Sequence, residues 1–241
     1  MAIPYCGAPP LPGALAMRWN LDPILLAALL ALTTLHLWNI QHAQRRLAGT
    51  GWLLAAAALT SPLCALSVSL FSARVGQHMI LVLLAAPLIG QALPRGRWRL
   101  SPWWSAAAFT VALWVWHMPG PYDATFRSAA VYWSMHATLF GSAVWLWHDI
   151  LNHDREGIFA ALGAGTAASI QMGLLGATLS LSSRALFSWH YTTTEAWGLS
   201  PLQDQQLGGV LMWVPGGVFF LWAAVRSLSL LWNRIEGPAA P

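Results

Sequence analysis

Long apolar segments separated by short polar stretches dominate this 241-residue chain. Only 8% of its residues are charged and 57% are hydrophobic, whereas a water-soluble domain carries about a quarter charged residues. A helix of about 20 apolar residues is long enough to cross a bilayer. Seven such segments cover residues 22–40, 51–72, 77–93, 102–118, 129–150, 157–181 and 207–232. The pattern predicts an all-α integral membrane protein, a bundle of seven transmembrane helices, and excludes a soluble enzyme, a nucleic-acid-binding module and a disordered chain.

The remaining polar segments divide the chain into three parts. We predict a Pro/Gly-rich lead over residues 1–20, a seven-helix membrane domain over residues 21–234 and a C-terminal tail over residues 235–241. Residues 182–206 form the one sizeable polar segment within the membrane domain. The lead has no basic region ahead of an apolar one and no clear cleavage site, so no removed signal peptide is predicted.

All twelve basic residues are arginines, and their distribution between the loops predicts the orientation of the chain. Cytoplasmic loops of membrane proteins are enriched in Arg and Lys. The larger group of arginines consists of Arg45, Arg46, Arg95, Arg97, Arg99, Arg155, Arg226 and Arg234. The smaller group, on the opposite side, consists of Arg18, Arg74, Arg127 and Arg184. The N-terminus and the segment 182–206 are therefore predicted outside and the C-terminus in the cytoplasm.

The two cysteines, Cys6 and Cys64, are 58 positions apart and form no CxxC motif. This spacing predicts neither a disulfide framework nor a structural zinc site. Cys64 falls in the outer half of the second predicted helix. We expect it to be a small apolar residue of the core, with a thiolate ligand for copper as the alternative.

Three histidines fall near the outer ends of three different predicted helices. His78 opens the third helix, His117 closes the fourth, and His136 lies about 10 Å inside the fifth at a rise of 1.5 Å per residue. Ionisable groups at membrane depth are costly and therefore mark functional sites. The three imidazoles are predicted to face one pocket, although each is also compatible with an interfacial side chain bonded to water or lipid.

Methionines accompany these histidines, namely Met79, Met118, Met135 and, within the seventh predicted helix, Met212. Imidazole and thioether groups together favour Cu(I), whereas the scarcity of carboxylates argues against calcium or magnesium. Adjacent residues of a helix point 100° apart, so the histidines are the preferred ligands, and Met79, Met118 and Met212 are secondary candidates or core residues. Arg74 lies one turn before His78, where its charge disfavours a nearby metal cation.

Further polar residues are candidates for supporting roles. Ser200, Pro201 and Gln203 form a capping box that starts the seventh helix, and Asp204 next to it is either a partner that orients a ligating histidine or a first-turn acid. Tyr122 and Asp123 follow a Pro-Gly-Pro turn and are similar supports or turn residues. In the predicted outer segment, the exposed platform for a protein partner is predicted to contain His190, Glu195 and Trp197.

Several short strings between residues 71 and 227 carry a family resemblance. They are Gln77-His78-Met79, Ala86-Pro87-Leu88, Trp116-His117-Met118-Pro119, Tyr122-Asp123, His136 with Trp145, Leu175-Gly176, Ser200-Pro201, and Asp204-Gln205 followed by Gly208-Gly209, Met212-Trp213 and Pro215-Gly216. On these strings the chain resembles the seven-helix CtaG-type family of bacterial cytochrome c oxidase assembly factors. The resemblance implies a protein of the bacterial plasma (inner) membrane that assembles or activates haem-copper oxidases, with copper supplied from the outer side. Where members often have a His-Met pair before the helix-three histidine, this chain has Arg74 and Val75.

Residues and resemblance together predict an assembly factor and not an enzyme. It binds Cu(I) between His78, His117 and His136 and passes it to cytochrome c oxidase subunits, with a soluble copper donor as a further partner. Two alternatives remain open: a bis-His haem-binding membrane cytochrome, and a scaffold or accessory subunit of the oxidase that binds no metal. A transporter is disfavoured because the central thirds of the predicted helices hold few polar residues.

Overall fold

The computed structural model describes residues 3–94, 101–153 and 157–236, and in these ranges the chain is helical without a strand. The helices are α1 (Pro23–Asn39), α2 (Arg45–Thr60), α3 (Leu63–Ser69), α4 (Phe71–Met79), α5 (Ala86–Ala92), α6 (Pro102–Trp116), α7 (Pro119–Ala124), α8 (Ala129–Leu151), α9 (Ile158–Ser180) and α10 (Pro201–Glu236). A π-helical segment, Ile80–Ala85, joins α4 to α5. Short 3-10 turns cover Pro12–Met17, His42–Gln44, Ser188–Thr192 and Glu195–Trp197.

Three helices in the described ranges are long and apolar enough to cross a membrane: Phe71–Ala92, Ile158–Ser180 and Pro201–Trp232. A fourth span is present if the bent pair His42–Thr60 and Leu63–Ser69, which meet at 47°, crosses as one unit. The all-helical class predicted from the sequence is confirmed. The number of seven spans and their orientation stay predictions, and four arginines used for the orientation, Arg95, Arg97, Arg99 and Arg155, lie outside the described residues.

The long helices α9 and α10 pack closely because two glycines meet at their contact. A Cβ atom on Gly176 would lie 2.7 Å from Cβ of Trp213 and 2.9 Å from the carbonyl oxygen of Gly209. A Cβ atom on Gly209 would lie 2.6 Å from the carbonyl oxygen of Gly176. Small residues of this kind let helix backbones approach each other in apolar bundles. The start of α10 also packs against the start of α4, the helix that carries His78 in its last turn.

The π-helical segment in the third long helix follows from Pro87 and from a buried indole. The Ala86 N–H donates to the carbonyl of Leu81, five residues back, as a π-helix requires. The corresponding donor for the next carbonyl, that of Val82, is residue 87, and proline has no N–H. Trp147, fully buried on α8, donates its Nε1–H to that carbonyl at 2.7 Å. The Trp147 side chain of α8 therefore supplies the hydrogen bond that the Val82 carbonyl, between α4 and α5, lacks from its own backbone.

Replacing Trp147 with phenylalanine should lower the free energy of unfolding by about 1–3 kcal/mol, because the buried carbonyl of Val82 loses its donor. Denaturant or thermal unfolding of the protein in detergent measures this loss. Trp116→Phe is the matched control: its indole donates at 2.8 Å to the hydroxyl of Thr138, which keeps its own hydrogen bond to the Ser134 carbonyl at 2.7 Å when the indole is removed. Equal losses in the two variants would contradict this role of Trp147.

The N-terminal lead is fastened to the helical bundle by a disulfide bond between Cys6 and Cys64. The sequence-based prediction that the cysteines form no disulfide is wrong. Cys64 is buried in the core as expected, but it is half of a disulfide, so in this state it is neither a free apolar residue nor a free thiolate ligand. The lead folds back over the end of the bundle, where the Ser69 hydroxyl donates to the Pro10 carbonyl at 3.2 Å and the Asn20 N–H donates to the Thr60 carbonyl at 2.8 Å. This return of the chain places the sulfur atoms together despite their separation in sequence.

Candidate metal site

Three histidines from three helices meet in the interior of the bundle. His78 lies at the end of α4, His117 caps the end of α6, and His136 lies in the second turn of α8. The ring centroids of His78 and His117 are 5.9 Å apart, and those of His78 and His136 are 5.3 Å apart. All three side chains are buried, with at most 5% of their surface exposed. The structure thus brings together the three histidines selected from the sequence.

Hydrogen bonds fix the tautomer of two of these imidazoles. Nδ1 of His117 lies 2.7 Å from the Leu113 carbonyl oxygen, and Nδ1 of His136 lies 3.0 Å from the Tyr132 carbonyl oxygen. A carbonyl only accepts, so Nδ1 carries the proton in both neutral rings and Nε2 keeps its lone pair. Such a carbonyl contact on one nitrogen is the usual way in which a metal-ligating imidazole is oriented.

Unpartnered nitrogen atoms are concentrated in this cluster, although Nε2 of His36 on α1 is also buried without a partner. Among the described residues, Nε2 of His136 and both ring nitrogens of His78 are buried without a hydrogen-bond partner. Buried polar atoms without a partner are rare in folded proteins because their desolvation is not compensated. A ligand that accepts lone pairs, such as a metal ion, compensates it. The cluster therefore has the donor atoms of a metal site.

The ring of His78 must rotate before the cluster can hold an ion. In the described ranges no group of three or more His, Cys, Asp or Glu side chains is arranged to bind a metal as it stands. The plane of His78 meets those of His117 and His136 at 85° and 73°, an edge-to-face arrangement. Metal–nitrogen bonds of about 2 Å require ligating nitrogens within about 4 Å of each other. The ring centroid of His78 lies 5.9 Å from that of His117 and 5.3 Å from that of His136, so rotation of His78 fulfils this toward either ring, and no hydrogen bond opposes it.

The three candidate methionines occupy different environments. Met79 and Met212 are buried in the main hydrophobic core, whereas Met118 is 49% exposed. A thioether at the surface does not belong to the buried histidine cluster. Of these three candidates, the structure therefore leaves Met79, next to His78, and Met212 on α10 inside the bundle, where Met135 next to His136 is also buried.

Arg74 is buried beside the histidines and stacks on aromatic rings. Its guanidinium carbon lies 3.9 Å from the ring centroid of Phe126, 5.1 Å from that of Tyr122 and 5.9 Å from that of Tyr132. Its Nη1 donates to the Thr125 hydroxyl at 2.6 Å. Cation–π contacts stabilise a desolvated guanidinium, but its charge still opposes a second cation nearby. The sequence indicated the charge and gave no sign of the rings that surround it.

The residues predicted to support the histidine cluster form their hydrogen bonds with other parts of the protein. Asp204 is buried and accepts hydrogen bonds from the backbone N–H groups of Phe71 and Ser72, at 2.6 and 3.0 Å, and from the Ser72 hydroxyl. It caps the start of α4 instead of contacting a histidine of the cluster. Asp123 accepts from the Ser188 hydroxyl at 2.8 Å. Tyr122 contacts the segment after α9, as described next.

His190 lies inside the protein, so its predicted place on an exposed platform is wrong. The side chain is 1% exposed; Nδ1 contacts the Ser69 carbonyl at 3.1 Å and Nε2 contacts the Tyr122 hydroxyl at 2.8 Å. Burial, assisted by the charge of Arg74, lowers the pKa of His190 to about 3, so the ring is neutral and Nε2 accepts from the hydroxyl. Of the other platform residues, Glu195 is exposed and Trp197 is half-buried.

Tyr132 links the histidine cluster to the disulfide, and sequence reasoning missed this. Its ring lies against His136, with centroids 4.2 Å apart. Its hydroxyl lies 3.3 Å from Sγ of Cys6 and 3.7 Å from Sγ of Cys64. Its position four residues before His136, on the same helix face, was the available sequence signal.

The described part of the chain is thus an apolar helical protein with helices of membrane-spanning length and a buried cluster of three imidazoles. The family model for the cytochrome c oxidase caa3 assembly factor (Caa3_CtaG) matches residues 29–233, most of the chain and all three histidines. The chain belongs to this family, which confirms the resemblance seen in the sequence. Comparisons with curated proteins and with solved structures find no significant match.

Proposed function

We propose that this assembly factor binds Cu(I) as cargo between His78, His117 and His136 and delivers it to cytochrome c oxidase. The observation that carries the proposal is the set of unpartnered nitrogens: Nε2 of His136 and both nitrogens of His78, buried beside His117. Imidazole is a suitable ligand for copper, and Met79 and Met212 add soft donors on the inside of the bundle. The role is non-catalytic, since the site holds and transfers an ion.

The three histidines have different parts in this proposal. His117 and His136 are held by the carbonyls of Leu113 and Tyr132 and present Nε2 in a fixed direction. His78 has no hydrogen bond and is free to turn toward or away from the ion. An ion that is to be handed on is best held by two fixed ligands and one that releases easily. Arg74 assists release because its charge weakens the binding of a cation.

We further propose that all seven apolar segments cross the bacterial plasma membrane, with the N-terminus and the histidine cluster toward the outer face. The Cys6–Cys64 disulfide supports this orientation, because disulfides persist on the oxidising, non-cytoplasmic side of a membrane. It lies at the same end of the bundle as the cluster, joined to it through Tyr132. The partners there are oxidase subunits and a soluble copper donor, and exposed Glu195 is a candidate contact.

Replacing His117 and His136 with alanine should reduce the copper content and activity of the oxidase to the levels found in cells that lack this protein, because the fixed ligands are gone. Metal analysis of the purified oxidase and an oxygen-consumption assay measure the effect. His148→Ala is the control, because His148 is on the same helix as His136 but contacts the Gly90 carbonyl at 3.0 Å, away from the cluster. A normal copper content in the double variant, with the variant present in the membrane, would refute copper delivery and favour a scaffold.

The haem alternative receives no support from the site. Two axial imidazoles must lie on opposite faces of a porphyrin, whereas His78 contacts both other rings edge to face. A macrocycle between these rings would require the helices to separate. A Soret band in the purified protein would nevertheless identify a haem protein.

A further inference from the structure

The Cys6–Cys64 disulfide has features that a purely structural cross-link does not need. Cys64 is fully buried and Cys6 is half-buried, so Cys6 is the more exposed residue of the pair. Polar groups from two other parts of the chain face the sulfur atoms: the Tyr132 hydroxyl, and the Asn20 side-chain amide 3.6 Å from Sγ of Cys64. A disulfide sulfur carries no hydrogen, so the hydroxyl and the amide are the donors.

We propose that Cys6 and Cys64, when reduced, form a second Cu(I) site of two thiolates beside the histidine cluster, so that copper uptake by the protein depends on thiol redox state. The choice of copper rests on the proposed function. The pair of sulfur ligands is independent of that function, and thiolates are ligands that soft monovalent copper prefers. The site lies one aromatic ring, that of Tyr132, away from His136.

The reduction is an ordinary thiol–disulfide exchange with an external dithiol. One thiolate of the dithiol attacks Sγ of Cys6, the more exposed residue of the pair, the sulfur–sulfur bond breaks, and Cys64 leaves as a thiolate. The second thiolate of the dithiol then attacks its own partner sulfur in the mixed disulfide and releases Cys6. Two electrons pass to the protein, and the dithiol becomes a disulfide. Binding of Cu(I) by both sulfurs displaces their protons and leaves the metal oxidation state unchanged.

The distance between Cys6 and Cys64 is compatible with both a disulfide bond and a pair of thiolates that bind one metal ion. The Cα atoms are 5.6 Å apart, and metal–sulfur bonds of about 2.3 Å allow two sulfurs to lie about 4–5 Å apart around one ion. Side-chain rotation at these two residues is sufficient for that change. The donors on Tyr132 and Asn20 already face the sulfurs and stabilise the negative charge that thiolates carry. An ion released from the sulfurs reaches His136 by passing the ring of Tyr132.

Cu(I) titration of the full-length protein in detergent tests this inference, with the disulfide either intact or reduced by an external dithiol that is then removed. We expect the reduced protein to bind one more Cu(I) than the oxidised protein, with copper–sulfur bonds visible by X-ray absorption. The variant with Cys6→Ser and Cys64→Ser should bind the same number under both conditions. Equal binding by oxidised and reduced wild-type protein, or loss of the folded state on reduction, would overturn the proposal and leave the disulfide with a structural role alone.

A second variant separates this proposal from the one on the histidines. With His78→Ala and His136→Ala, the reduced protein should keep the sulfur-bound ion and lose only the ion that binds regardless of redox state. If instead the oxidised wild-type protein binds no copper while the reduced protein binds one ion through sulfur, the histidine site fails and the thiolate site stands. Tyr132→Phe keeps the aromatic ring and removes one donor, so it should weaken the thiolate site and preserve the disulfide.

Discussion

Alanine at both His78 and His136 should weaken Cu(I) binding by the purified, disulfide-intact protein by at least about 100-fold. Loss of a single group that only orients a metal ligand costs about 10- to 100-fold in affinity, and here two ligands are removed. The measurement is a competition with a chromophoric Cu(I) chelator. Ascorbate maintains Cu(I) and does not reduce the Cys6–Cys64 disulfide, so the thiolate site does not contribute.

The single variants distinguish the parts assigned to these ligands. His136 is oriented by the Tyr132 carbonyl and His78 by no hydrogen bond. His136→Ala should therefore raise the equilibrium dissociation constant strongly, and His78→Ala should raise it less, through faster release of copper to the chelator. The control is His148→Ala, twelve residues along α8 from His136. Unchanged affinity in the double variant would place the copper elsewhere in the protein or on none of its residues.

The meeting of the three histidines was predictable because it depends on helix direction and length. His78, His117 and His136 each lie within a turn or two of a predicted helix end. In the up-and-down bundle that the sequence predicts, the alternation of helix direction places those ends on one side. Local signals also gave the start of α10: the Ser200 hydroxyl accepts from the Gln203 N–H at 3.2 Å, and the Gln203 side chain accepts from the Ser200 N–H at 2.9 Å. This capping box is confirmed.

Features that depend on the return of distant segments were not predictable. The spacing of Cys6 and Cys64 carries no information on their distance in space, which the fold of the lead over the bundle decides. The rings of Phe126, just after α7, and Tyr132, in the first turn of α8, surround Arg74 because the tertiary fold brings these two segments to the side chain of Arg74. Helical periodicity describes the faces of single helices and does not specify which faces meet.

The hydrogen-bond partners of Asp204 were also not predictable, because the sequence does not specify which helices meet. Its place in the first turn of α10 suggested either a helix-dipole contact within that helix or a partner for a histidine. It instead accepts hydrogen bonds from Phe71 and Ser72, more than 130 positions earlier in the chain. A carboxylate at the start of α4 is favourable for the reasons that make any acidic cap favourable, including the helix dipole. The residue reaches that position because α10 packs against α4, and Gly208 permits the approach: a Cβ atom there would lie 2.5 Å from the Phe71 ring.

Asp204→Ala should lower the free energy of unfolding by about 3–5 kcal/mol, since two buried backbone N–H groups and the Ser72 hydroxyl lose a charged acceptor together. Asp204→Asn keeps one acceptor oxygen and should cost about half as much. Ser200→Ala, in the exposed capping box of the same helix, should cost about 1 kcal/mol. Unfolding of the three variants in detergent, by denaturant titration, measures these differences. Because His78 lies at the other end of α4, Asp204→Ala should also weaken Cu(I) binding, whereas Ser200→Ala should not. Wild-type stability in Asp204→Ala would show that the contact between α10 and α4 does not depend on this carboxylate.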